Sequence, residues 1–338
     1  MKTIKAAVLL FLALGARAGE PSTISSYIGK LKIGQPIRYK NLAIYPLTIQ
    51  QSKAREFITL AEAMDRGWLK IREIGDGEVN HVELKNSGTS MVFIMTGEML
   101  KGAKQDRMLG QDVLVPPKSA WIRVPVYCVE HGRWVSSSPA FKSSSEVAPN
   151  ALRQCARITE DQSEVWDAIA SSQEKLGIVS GTSTVHANYE DERIKKELAG
   201  YTGHFERLPR LDPGTAGVVV ATGNRILCVD IFADNKILSK FWSRLLRSYA
   251  MDAIMESEPT VDKAAIKELM QTLSRSKHVS LGTPGAGELY RVETNSGRGS
   301  VLVYDGQIIH LDFFVDDLSD SDQPEWQLDI RRDQRLND

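Results

Sequence analysis

Two glutamates and a set of cations crowd one short stretch of the chain. Between residues 91 and 134 lie Glu98, Lys101, Lys104, Gln105, Arg107, Glu130, Arg133 and Trp134, with glycines at 97, 102 and 132. A pair of carboxylates suits general acid and base work, because an apolar surround keeps one protonated while a nearby cation keeps the other ionised. Lysine and arginine suit a phosphate or carboxylate, arginine through a two-pronged fork. Tryptophan stacks on a ring or sugar face, and glycine lets a ligand approach the backbone. Glu98 and Glu130 are therefore the candidate catalytic pair. Lys101, Gly102, Lys104, Gln105, Arg107, Arg133 and Trp134 are the candidate ligand contacts. His310 joins them from the run Ile308-Ile-His-Leu-Asp312, although a lone histidine in an apolar strand is more often a satisfied core residue.

Three apolar runs must position these groups. Taken as strands over about 91–98, 106–115 and 120–130, they form an antiparallel meander, with the turn Pro116-Pro117-Lys118-Ser119 between the second and third. That topology brings the first connection and the end of the third strand to one edge of a sheet. Ile122, Val124, Val126 and Cys128 alternate onto one face, and Glu130 continues that face at its rim. Two readings stand. The rim is a site for an anionic ligand, or its charges form an ion-pair network that caps the sheet edge.

Other chemistries find little footing. There is no HExxH, CxxC, calcium-loop, GxSxG or Walker-type motif, and no His/Cys/Asp set at metal-ligand spacing, so no metal is expected and no cofactor is identified. The glycine-rich Gly282-Thr-Pro-Gly-Ala-Gly287 lacks a strand–loop–helix setting for a phosphate cradle. A formal charge of −1 over 338 residues carries no nucleic-acid footprint.

At the start of the chain, Lys2 and Lys5 precede the apolar run Ala6–Leu14, and Ala16-Arg17-Ala18 follows. This is the pattern of a cleaved secretory signal, and the apolar run is too short to span a bilayer. The chain is thus expected in the periplasm or secreted, without stable membrane insertion. Cys128, Cys155 and Cys228 are an odd count and so not a disulfide framework, and Cys128 and Cys228 read as small buried apolar residues.

Downstream, the serine-rich 136–150 is the best linker candidate, and Thr159 with Gln162 reads as a capping box opening a helix. Apolar stripes predict further helices over 189–201, from Asp234 to about Ile254, and after Pro259. The segments 218–232 and 301–314 echo each other as strand, glycine turn and strand ending near Asp-aromatic, which two hairpins of one sheet would explain. The expected class is α+β: an antiparallel meander and C-terminal hairpins packed with several helices, in a single domain over 19–320, with a polar tail at 321–338.

The ordered series NLAIYPL, GEMLKGAKQDR, VLVPP, VPVYCVEHGRW, VVVATGNRILCVDIF, FWSRLLRSYA and DGQIIHLDFF resembles the ARPP family over roughly residues 35 to 315. That domain is named for its association with ADP-ribosylglycohydrolases and rhodanese-phosphatases. The resemblance implies an α+β domain with a link to ADP-ribose or other nucleotide-sugar chemistry. It maps the family's motif positions onto Glu98, Gly102, Lys104, Gln105, Arg107, Glu130, Gly132, Arg133, Trp134 and His310. The resulting expectation is an exported protein that binds a small polar or anionic molecule, with hydrolysis by carboxylate chemistry left open. The alternative is a non-catalytic envelope module recognising a glycan or protein partner.

Overall fold

A computed structural model describes residues 21–50, 55–133 and 140–316. The larger of its two β units is a nine-stranded sheet, antiparallel at every pairing. Its central strands Leu42–Thr48, Thr215–Thr222, Arg225–Phe232 and Gln307–Val315 are almost continuously apolar because helices cover both faces. Helices Pro21–Lys30 and Lys263–Ser274 pack on one face through Ile24, Ile28, Ile266, Leu269 and Leu273. The long helix Asn235–Ala253, capped by Asp234 on Ile237 N at 2.9 Å, packs on the other. The sequence echo is explained as two hairpins of this one sheet. Asp305 and Gly306 both take positive φ (52° and 72°) at their turn. The adjoining strands pair so that Asp230 faces Asp312 and Phe232 faces His310.

The smaller unit holds the candidate site, and here the structure amends the expected meander. The first two runs do form a hairpin, but it is kinked in the middle. Its lower half pairs Val92–Ile94 with Val113–Val115 in a three-stranded sheet. Its upper half pairs Glu98–Gly102 with Arg107–Leu109 in a six-stranded sheet, where Ile122–Cys128 follows. Leu100, Leu109, Val124 and Val126 of one sheet share a core with Val92, Ile94, Val113 and Val115 of the other. The kink falls at Gly97, whose φ of 85° favours glycine. Asp112 secures it by accepting Thr96 N at 2.8 Å.

Two local readings are also amended. Within the supposed linker, Phe141–Val147 is an edge strand paired with Glu98–Gly102 through a bulge; its serines are tolerated because an edge strand is partly exposed. The helix Gln162–Leu176 is capped by Asp161, not Thr159, and Gln162 instead exchanges hydrogen bonds with the Cys128 backbone. The loop around Gly285 packs on Leu114, with Ala286 N donating to Leu114 O at 2.7 Å. All three cysteines are buried and free. The expected secretory signal, Trp134 and the expected polar tail lie outside the described residues. Among the described residues no helix is long and apolar enough to cross a membrane.

Candidate functional site

The upper hairpin tip gathers some of the expected groups. Gly102 N donates to Asp106 Oδ1 at 2.8 Å, closing the turn. Arg133 reaches back over the tip, bonding Glu130 Oε2 at 2.5 Å, Asp106 Oδ1 at 3.1 Å and Ala103 O at 2.8 Å. Burial pushes the Glu130 carboxyl up, but Arg133, the Thr182 hydroxyl and the Asp106 N–H outweigh it and hold the group below its ordinary range. Glu130 is thus an ionised partner of Arg133. Lys101 lies outward against Glu190 at 2.9 Å, and Lys104 Nζ donates to the carbonyl of Asp76. Neither lysine converges on Arg107.

Arg107 is the anomaly of the tip. Its side chain points with Leu109 into the interior of the small unit and is wholly buried. One guanidinium nitrogen reaches Gln105 Oε1 at 3.3 Å, while Nε and Nη2 have no partner. Among the described residues no carboxylate pairs with it. Gln105, itself buried, spans from Arg107 to the carbonyl of His131 at 3.4 Å. Both bonds are at the long end of the useful range. Gln105 is a loosely held plug over an uncompensated buried cation.

Glu98 is not at this rim, and the acid/base pair expected with Glu130 does not form. It begins the strand whose far end, Gly102, reaches the tip, four residues away, or about 13 Å of extended chain. There it is fully buried, paired to Arg244 at 2.5 Å and accepting Met95 N at 2.9 Å. Burial raises its carboxyl despite the opposing Arg244. Each acid has its own arginine.

His310 is also remote from the tip sequence, and it sits in the densest charge network of the molecule. Its Nδ1 meets Asp112 Oδ2 at 2.7 Å and its Nε2 meets Asp230 Oδ1 at 3.2 Å, all fully buried. With a carboxylate at each nitrogen, both carry protons. Burial alone would lower the imidazole, but Asp112 and Asp230 raise it to about 9. Asp230 is held by both Nη atoms of Arg153 at 2.7 and 3.1 Å and by the Tyr249 hydroxyl at 2.5 Å. Arg157 bonds Asp312 Oδ2 at 3.0 Å, and Ser300 N and Oγ hold the other oxygen at 2.9 and 3.1 Å. The hairpin kink, the large sheet and the helices Asn150–Thr159 and Asn235–Ala253 meet here.

Sequence reasoning missed Asp112, Asp230, Asp312, Arg153 and Arg157. One signal was present, since the two echoing hairpins each carry an aspartate within two residues of a phenylalanine, and those aspartates face each other. The molecule is a sheet-and-helix protein with a buried charge network at the junction of its two β units. The chain belongs to the family of the ARG and Rhodanese-Phosphatase-superfamily-associated Protein domain, ARPP-1, whose model matches residues 30–314. No curated protein and no solved structure matches it.

Proposed function

We propose that this is an exported, periplasmic or secreted, binding protein for a small phosphorylated or otherwise anionic molecule, held at the hairpin tip by Arg107. The observation that supports the reading is the buried guanidinium with two unpartnered nitrogens. Such a group is costly unless something anionic completes it. An incoming phosphoryl or carboxylate oxygen displaces Gln105, takes Nη2 and Nε as a fork, and leaves Arg133 to face the remaining charge. Glu98 lies away from the tip, and the two carboxylates that are there, Glu130 and Asp106, are both engaged by Arg133, which favours binding over hydrolysis.

Thermal shift of the protein against inorganic phosphate, nucleotides, nucleotide-sugars and neutral glycans tests this. Binding raises the melting temperature with the logarithm of ligand concentration. The expected result is a shift with phosphorylated ligands that disappears in Arg107→Met. A shift with neutral glycans alone, unchanged in that variant, would point to the glycan-recognising module instead.

A further inference from the structure

We infer that Asp112, His310 and Asp312 form a site for one divalent transition-metal ion, entered from the pocket beside Arg157. Asp112 comes from the kinked hairpin to meet His310 and Asp312, two residues apart on one strand; all three are fully buried and offer ligand atoms within 4.8 Å of one another. One imidazole nitrogen with two carboxylates is a donor set for zinc, or for manganese or iron(II), rather than for a thiolate-seeking ion.

The supporting shell is already built. A metal-binding histidine ordinarily donates its second ring N–H to a carboxylate, which fixes the ring. His310 Nε2 does this to Asp230, which Arg153 and Tyr249 hold in turn. Each ligand carboxylate is likewise anchored through one oxygen by fixed donors. Thr96 N holds Asp112 Oδ1, and Ser300 N and Oγ hold Asp312 Oδ1. In each case Oδ2 is left to a side-chain cation, the His310 imidazolium for Asp112 and, for Asp312, Arg157, which also meets Thr96 Oγ1 at 3.3 Å. A pure ion-pair network has no need to divide its carboxylates this way.

The charge balance admits the exchange. Three aspartates face Arg153, Arg157 and the imidazolium. On metal binding the Nδ1–H bond breaks, the proton leaves to solvent, and the nitrogen lone pair binds the metal. The cluster then gains one net positive charge. The proposed way in is the pocket on the far side of Arg157. A 380 Å3 pocket is lined by Arg157, by Gly110 and Gln111 next to Asp112, and by Arg291. Arg157 is therefore both a wall of that pocket and the partner of Asp312. When it turns toward the pocket, it uncovers the carboxylate.

The test uses the whole protein with zinc(II) or cobalt(II) alone. Equilibrium dialysis with elemental analysis is expected to find one equivalent bound, with cobalt showing visible absorption of a low-coordinate N/O site. Nitrogen NMR of the histidines supplies a readout that needs no variant, since His310 Nδ1 must change from protonated to metal-bound. Asp312→Asn is expected to weaken binding at least tenfold, and Asp230→Asn, acting through the ring, by about 10- to 100-fold. Binding of less than a tenth of an equivalent, an unchanged His310 signal at saturating metal, or full metal retention in folded Asp312→Asn would each overturn the assignment.

Discussion

Replacing Arg107 by methionine should make the protein more stable while abolishing the proposed anion binding. Methionine matches the length of the arginine stem and fills the same apolar channel beside Leu109 and Cys128. What disappears is a guanidinium whose Nε and Nη2 are buried without partners. An unsatisfied buried polar group costs about 1–3 kcal/mol, so two of them outweigh the single long bond to Gln105, which is worth about 1 kcal/mol. After allowing for the now unpaired Gln105 carbonyl, the net gain is about 1–4 kcal/mol, the range seen when buried ionic groups give way to apolar ones. For a chain of this size that corresponds to a rise in melting temperature of roughly 2–8 °C. Urea unfolding in phosphate-free buffer reads the change as a higher midpoint at unchanged slope. The trade of stability for binding is expected of a residue kept for function. A variant that unfolds at lower urea than the parent would refute the reasoning, because Arg107 would then be satisfied and structural.

How much of this could be read in the sequence depends on where each residue finds its partner. The strand Ile122–Cys128 buries Val124, Val126 and Cys128 as its alternation predicts, and the two hairpin turns and the helix Asn235–Ala253 fall where glycine and apolar spacing put them. These features are local. The helix Asn150–Thr159 escaped because its buried apolar stripe, Leu152, Cys155 and Ala156, is short and lies beside the polar Asn150, Arg153 and Arg157. Its arginines become comprehensible only through Asp230 and Asp312, 77 and 155 residues away along the chain. The kink at Gly97 is hidden for a similar reason. The chain must turn there so that Arg153 can pass, with its Cγ 2.8 Å from where a Cβ would stand. Glu98 and Glu130 looked like a pair because an unbroken meander would align them, and that break sends them to different arginines.

Three further substitutions test these ideas. Gly97→Ala forces an L-residue to φ 85° and drives its methyl into the Arg153 stem, whereas Gly67→Ala meets only the backbone penalty, since nothing lies within 4 Å of its Cβ. The Gly67 variant should lose about 1–2 kcal/mol, and the Gly97 variant at least about 2 kcal/mol more through the displaced Arg153–Asp230 pair. Equal urea midpoints for the two would show that Arg153 adapts freely. Asp252 provides a pH signature. It accepts Ala151 N at 2.7 Å where the helix Asn150–Thr159 begins. Burial, opposed by that N–H and by Arg225 and Arg153 and aided by Glu256, raises its carboxyl from 3.8 to about 7. The native state therefore binds this proton more tightly than the unfolded chain does. Its contribution to stability is complete below 3.8, falls as pH rises toward 7, and is lost above it. Asp252 retains some contact with solvent, which makes the effect smaller than full burial would give. Asp252→Asn cannot titrate, so the stability of the variant relative to the parent should climb between about pH 4 and about pH 7.5 and level off beyond. Taking the difference cancels Glu98, which is also raised by burial but is present in both proteins. A difference that stays flat across that range would mean the carboxylate keeps its charge at the helix start, where the peptide dipoles and the Ala151 N–H would then be strong enough to offset its desolvation.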